Sequence, residues 1–165
     1  MIEPTNEETL TIYTCYGLFD SQRFVVIAKP MRSKREVAEV KRVVDGDTIE
    51  LTDNRRVRYI GINTPETIDS RKPVECFGKE AKEKNKELVE GKIIEMEKDV
   101  SEIDVYSRYL RYVYVDGILI NSWLVENGYA QVMSVPPDVK YQKLFLSKEK
   151  IAREEKRGLW KKCQN

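Results

Sequence analysis

The sequence predicts an α+β fold that is mainly β, and three observations carry that prediction. Short apolar runs of strand length follow one another between residues 37 and 62 with only tight turns between them. A single stretch of helical period interrupts the strand pattern at residues 79–90. The remaining helical patterns gather toward the C-terminal end. A doubly wound parallel sheet would need a helix between most of its strands, and those helices are missing.

Near the N-terminus, Leu10, Ile12, Thr14 and Tyr16 alternate, and a run at residues 24–27 follows. This predicts two strands joined around residues 19–22. Pro30 with Arg32, Lys34 and Arg35 reads as a basic linker, so residues 1–37 form an extension, in hairpin form. AEVKRVVDGDTIELTDNRRVRYIGI then reads as strand, turn at Asp45-Gly46, strand, turn at Asp53-Asn54, strand. Asp-Gly between apolar runs is a strong hairpin signal. A loop rich in Thr, Pro, Asp and Ser covers residues 63–73. KEAKEKNKELVE (79–90) is a helix with Ala81, Leu88 and Val89 inward, closed by Gly91. KIIEMEKDV is a fourth strand. YLRYVYVDG is a fifth, with Leu110, Tyr112 and Tyr114 alternating against Arg111, Val113 and Val115. INSWLVEN (120–127) is a short helix stopped by Gly128. Residues 139–157 make a long helix on a stripe of Tyr141, Leu144, Phe145, Ile151 and Ala152, ended by Gly158. Five strands with one helix between the third and fourth predict a small closed five-stranded barrel of the OB type with three helices. The division is an extension at 1–37, a barrel domain at 38–161 and a tail at 162–165.

Composition narrows the chemistry. The chain of 165 residues has room for one domain and, at 41% hydrophobic, for a packed core. Its 29 Lys+Arg against 28 Asp+Glu exclude a bulk polycation that binds nucleic acid by total charge. It has no histidine, which removes Ser-His-Asp and Cys-His systems, His-metal sites and any His base. Carboxylates, Lys, Tyr, Cys, Arg or a metal must carry any catalysis. Cys15, Cys76 and Cys163 are odd in number and form no CxxC pair, so no zinc site or disulfide framework is predicted; a single bridge is open but not predicted. Three free thiols fit a reducing compartment. No run of 18 apolar residues predicts a membrane helix. MIEPTNEETLTIY lacks an apolar signal core, so the chain as written reads as cytoplasmic, or as secreted if a leader was removed.

Four charged positions gather at loops and strand ends: Asp47, Arg58, Glu66 and Arg108. Asp45 and Asp47 flank Gly46; they either simply make the turn or aim a carboxylate at a hard cation. Arg58 in VRYIGI reads on its own as a solvated strand residue, and Glu66 in NTPET as part of a turn.

VVDGDTIEL, RVRYIGINTPET, FGKEAKEKNKELVEGK, DVYSRYLRYVYVDG, NSWLVENGYAQV and EEKRGLW follow one another in the order and spacing of the staphylococcal nuclease family. The resemblance covers about residues 38–161 and leaves out the extension. It implies a five-stranded OB barrel with three helices, and a calcium-dependent phosphodiesterase that cleaves DNA and RNA with little sequence preference. The implied substrates are single-stranded or denatured, and the implied products carry 3′-phosphates. Asp47 resembles the family's metal-binding aspartate, and Thr64 would lend its carbonyl to the same ion. Arg58 and Arg108 are similar to the two phosphate-binding arginines. Glu66 is similar to the acid that positions or deprotonates the attacking water. Tyr106 is similar to a tyrosine lining the nucleotide site.

Two positions depart from the family pattern. Asn63 stands where the family has a metal-ligating aspartate; its amide oxygen still suits Ca²⁺, with one negative charge fewer. Ser134 and Pro136 stand where tyrosines often pack against the base. Base stacking is worth roughly 1–3 kcal/mol, so weaker nucleotide affinity or altered base preference is expected. Tyr129 and Tyr141 read either as core residues or as substitutes for those tyrosines at the base. The C-terminal helix is basic, which makes a solvated face or a site for flanking phosphates. The sequence therefore predicts a monomeric nuclease that uses one Ca²⁺ ion and does not enter a membrane. The alternative is a catalytically weakened nucleic-acid or protein-binding module on the same barrel, which Asn63 favours. Residues 1–37 offer a docking element for a partner.

Overall fold

The structure, a computed structural model, describes residues 10–16, 22–28, 35–67 and 75–163. The linker at 29–34, most of the loop at 63–73 and the joint at 17–21 lie outside the described residues. The chain divides into two units, residues 1–34 and 35–165.

In the first unit, β1 (Leu10–Tyr16) pairs antiparallel with β2 (Gln22–Ala28), Leu10 opposite Ala28 and Tyr16 opposite Gln22. The second unit begins with β3 (Glu36–Asp45), β4 (Thr48–Leu51), β5 (Arg56–Tyr59) and the short β6 (Ile62–Asn63). Next come α1 (Gly78–Val89), β7 (Ile93–Glu97), β8 (Tyr109–Val115), β9 (Ile118–Leu119) and α2 (Ile120–Glu126). The two-residue β10 (Gln131–Val132), α3 (Gln142–Glu154) and α4 (Leu159–Lys162) complete it.

Strands β5-β4-β3-β7-β8 run in that spatial order, and β5 pairs parallel with β8, which closes a five-stranded barrel. Closure leaves no edge strand among these five. Ile49, Leu51, Val57, Val113, Leu124 and Phe145 are fully buried at its core. Each large aliphatic or aromatic side chain so placed contributes about 1.5–3 kcal/mol by leaving water. Phe145 of α3 packs edge-on toward Tyr112, and Tyr141 hydrogen-bonds the Tyr114 hydroxyl at 3.0 Å. Tyr129 stacks on Trp123. Both tyrosines are structural, which selects the core reading.

The hairpin between β3 and β4 turns at Gly46 and Asp47. A Cβ on Gly46 would come within 2.6 Å of Thr64 Oγ1, so only glycine lets the turn press against that residue. Gly128 (φ +71°) ends the loop after α2 for the same reason: a Cβ there would lie 2.3 Å from the Arg157 carbonyl oxygen.

Several expectations are corrected. A fourth helix, α4, follows Gly158 among the described residues. The long helix begins at Gln142 rather than residue 139, and Leu144 of its anticipated stripe is 38% exposed. Alternation fails in β8, where residues 111–115 are all buried. Both faces of that strand are covered, and Arg111 is accommodated by an ion pair to Glu102. Lys162 and Cys163 are tied to the domain rather than trailing from it.

The largest correction concerns the cysteines. Cys76 and Cys163, 87 positions apart, form a disulfide, so the chain does not carry three free thiols. Closing a loop of that length in the unfolded chain stabilises the fold by up to about 4–5 kcal/mol. The denaturation midpoint should fall under reducing conditions. Cys76→Ser with Cys163→Ser should show the same fall without reductant; equal midpoints for bridged and unbridged chains would contradict it.

Candidate functional site

The described site lies where the β3–β4 turn, the end of β5, the segment after β6 and the loop before β8 converge. Its floor is a buried carboxylate. Asp47 is 5% exposed. Its Oδ2 accepts the Thr64 N–H at 2.8 Å and lies 3.0 Å from Arg58 Nη1. Its Oδ1 accepts from the Thr48 hydroxyl at 3.2 Å. Burial pushes the Asp47 carboxyl up from its ordinary range, against the pull of Arg58 and of the Thr64 N–H. Burial likewise lowers Arg58, against the pull of Asp47.

Arg58 is not the solvated strand residue its position suggests. Its Nη1 donates to the carbonyls of Tyr59 (3.0 Å) and Ile62 (2.9 Å), and its Nη2 donates to Asn63 Oδ1 (2.9 Å). The guanidinium fork thus spans Asp47 and Asn63 and is held flat by the main chain. Its pose depends on the bend between β5 and β6, which Asn121 pins. Asn121 Nδ2 donates to the Ile60 carbonyl (2.9 Å), and its Oδ1 accepts the Val113 N–H (2.9 Å).

Arg108 reaches the same place from the loop before β8. Its Nε donates to Asp104 Oδ2 at 2.7 Å, and Asp104 Oδ1 accepts the main-chain N–H of Tyr106 (2.9 Å) and of Arg108 (3.0 Å). Burial raises Asp104, but these N–H bonds and the Arg108 guanidinium outweigh it and hold the carboxyl below its ordinary value. A carboxylate so depressed contributes stability that is present above its unfolded pKa of about 3.9 and is lost as pH falls through the folded value. Asp104 should therefore titrate below that pH, and Asp104→Asn should free the Arg108 side chain. Carboxyl-carbon NMR checks the titration; a normal Asp104 value would refute it.

Arg58 and Arg108 both line one cleft of about 520 Å³, with Ile103, Val105, Met133 and Val135 on its apolar wall. Tyr106 is 76% exposed and lies with its ring centroid 5.1 Å from the Arg108 guanidinium carbon. It is outside the cleft lining proper.

Glu66 is exposed on a short segment strapped at both ends to the Asp45-Gly46-Asp47 turn. Thr64 N–H binds Asp47 (2.8 Å), and Thr67 Oγ1 donates to Asp45 Oδ1 (2.6 Å). Asp47, Arg58, Asn63 and Thr64 are thus in direct contact. Arg108 lines the same cleft as Arg58, Glu66 lies two residues after Thr64 on the strapped segment, and Tyr106 stands beside Arg108 outside the cleft lining.

Asp104 and Asn121 went unread in the sequence. Asp104 carried a signal: DVYSR places an Asp where its carboxylate can cap the following N–H groups and pair with Arg four residues on. Asn121 carried none beyond a polar residue in an apolar helix.

The donor set suits a hard divalent cation in kind: the Asp47 carboxylate, the Asn63 amide oxygen and the Thr64 carbonyl are all oxygen ligands. Asp45 adds a second carboxylate in the same turn. Among the described residues no three acidic, Cys or His side chains converge. A cation here would therefore keep open positions for water and phosphate oxygens.

A family model described as "Staphylococcal nuclease homologue" matches residues 56–162. The SPbeta prophage-derived endonuclease YokF of Bacillus subtilis (strain 168) is 41% identical over 126 residues, covering 73% of this chain and 43% of its own length. The thermonuclease of Staphylococcus intermedius is 35% identical over 126 residues, covering 74% of this chain and 75% of its own. The thermonuclease of Staphylococcus hyicus is 32% identical over 149 residues, covering 85% and 88%. The chain thus spans less than half of YokF but most of the two thermonucleases.

Proposed function

The chain belongs to the staphylococcal nuclease homologue family, and on that premise we propose that it is a calcium-dependent nuclease that hydrolyses single-stranded or denatured DNA and RNA. The observation that carries this reading is the meeting of Arg58 and Arg108 in one cleft, with Arg58 paired to the buried Asp47. Arg58 and Arg108 approach a phosphodiester from different elements. A guanidinium fork donates in pairs to phosphate oxygens. Negative charge grows on those oxygens as water attacks, so donors already in position stabilise the transition state more than the substrate. Glu66, the exposed carboxylate on the strapped segment, holds and deprotonates the attacking water; with no histidine present, it is the motif carboxylate left for that role. Asp47, Asn63 and Thr64 would hold the calcium ion, which when bound supplies Lewis acidity toward a phosphate oxygen. Tyr106, beside Arg108, meets the nucleotide beyond the scissile phosphate. The cleft wall of Ile103, Val105, Met133 and Val135 offers apolar contact to a base without aromatic stacking.

The test is cleavage of heat-denatured DNA at alkaline pH with millimolar calcium or with EGTA. Cleavage should require calcium. Asn63→Asp should lower the calcium concentration for half-maximal rate by roughly tenfold, because affinity follows ligand charge. Full cleavage in EGTA overturns the metal assignment. No cleavage by the wild type or by Asn63→Asp overturns the nuclease and leaves the binding module.

A further inference from the structure

Glu66 has a partner that the chemistry above does not use. Its main-chain N–H donates to Glu75 Oε2 at 3.1 Å, and the Glu75 N–H donates back to the Glu66 carbonyl at 3.1 Å. The two residues, nine positions apart, clasp each other directly. Glu75 is fixed in turn from its C-terminal side. The Gly78 N–H donates to its carbonyl at 3.0 Å, and the next residue, Cys76, is bridged to Cys163. Gly78 packs so closely that a Cβ would lie 3.0 Å from the Pro65 carbonyl oxygen and 3.2 Å from that of Glu66. Glu66 and Glu75 are both exposed, where water competes for their hydrogen bonds. The covalent bridge is the part of this arrangement that water cannot displace, and Cys76 is exposed to a soluble thiol.

We propose that Glu75 is a positioning residue for Glu66, and that the Cys76–Cys163 disulfide holds it in register, so that hydrolysis runs at full rate only while the bridge is intact. This rests on reading Glu66 as the base. The switch is thiol–disulfide exchange with a dithiol reductant. One thiolate of the reductant attacks a bridge sulfur, the S–S bond breaks, and a mixed disulfide forms. The second thiol of the reductant then displaces the protein sulfur. Two electrons pass to the protein, Cys76 and Cys163 end as thiols, and the reductant ends as a cyclic disulfide.

The experiment measures kcat, KM and amide hydrogen exchange at Glu66, with and without dithiothreitol, at a temperature where circular dichroism shows the reduced chain folded. Reduction should lower kcat by about tenfold, at little change in KM, and speed exchange at the Glu66 amide. Glu75→Ala should do the same with the bridge intact, and Glu75→Gln, which keeps an acceptor, should restore most of the rate. In Glu66→Gln, reduction should have no further effect on the residual rate. The proposal is overturned if kcat and Glu66 exchange ignore both reduction and Glu75→Ala. It is equally overturned if reduction slows Glu66→Gln by the same factor as wild type, which would mark a general structural effect. Absence of cleavage by the oxidised wild type sinks the nuclease reading alone. The clasp is then judged on exchange, and a Glu66 amide equally protected in the reduced chain overturns it.

Discussion

Arg58→Lys should lower kcat by about 10²–10³ with a smaller change in KM, the loss typical of removing one preorganised donor to a developing anion. The geometry explains why lysine cannot substitute. Arg58 uses one nitrogen for the carbonyls of Tyr59 and Ile62 and for Asp47, and the other for Asn63. An ammonium is a single point charge and cannot span those groups while still facing a phosphate. Arg58→Ala should do more harm, because it strands the buried Asp47 carboxylate without a cation. Breaking a buried pair from one side costs about 3–5 kcal/mol. That penalty has a definite pH dependence. The folded Asp47 carboxyl is already raised by burial, and losing Arg58 raises it further. A carboxyl that binds its proton more readily folded than unfolded destabilises the fold when ionised, and the penalty shrinks as pH falls through the folded value. Denaturation of Arg58→Ala across the acid range, beside steady-state kinetics of Arg58→Lys, checks both statements. Equal stability of wild type and Arg58→Ala at neutral pH would refute the pairing.

Much of the fold was legible because its signals are local. Asp45-Gly46 between apolar runs specifies a hairpin wherever it occurs, and Gly128 marks a stop that no other residue could make beside Arg157. The barrel class followed from the position of one helical stretch among the strands. What escaped depends on contacts between distant segments. The bridge between Cys76 and Cys163 joins the start of α1 to the end of α4, and neither parity nor spacing selects that pair. Alternation misread β8 because a strand covered on both faces has no polar side to display. The site was legible as a set of residue types in register. The environment of each was not: Arg58 looked solvated on its strand, and only the bend after β5 shows its guanidinium turned onto Asp47 and Asn63. The same bend gives Asn63 a role apart from any metal, since its amide oxygen seats Arg58.

Glu66→Gln separates the two readings of this barrel most sharply. Glutamine keeps the size of the side chain and leaves the main-chain bonds to Glu75 untouched, since those involve the Glu66 N–H and carbonyl. Glu66 is exposed, so the folded state neither gains nor loses a buried charge, and surface substitutions of that kind stay within about 0.5 kcal/mol. The rate should nonetheless fall by about 10²–10⁴, the contribution of a positioned general base. Stability and rate are thereby uncoupled, which a defect of folding cannot imitate. Nucleic-acid binding should survive, because Arg58 and Arg108 still face the cleft and carry the charge that phosphate meets. A binding module on this fold would show the opposite pattern, with no cleavage to lose and affinity falling when Arg58 or Arg108 is replaced. Measuring turnover and equilibrium binding of a single-stranded oligonucleotide on the same Glu66→Gln preparation decides between them. Cleavage at the wild-type rate by Glu66→Gln would remove Glu66 from the chemistry and leave the two arginines and Asp47 to account for it.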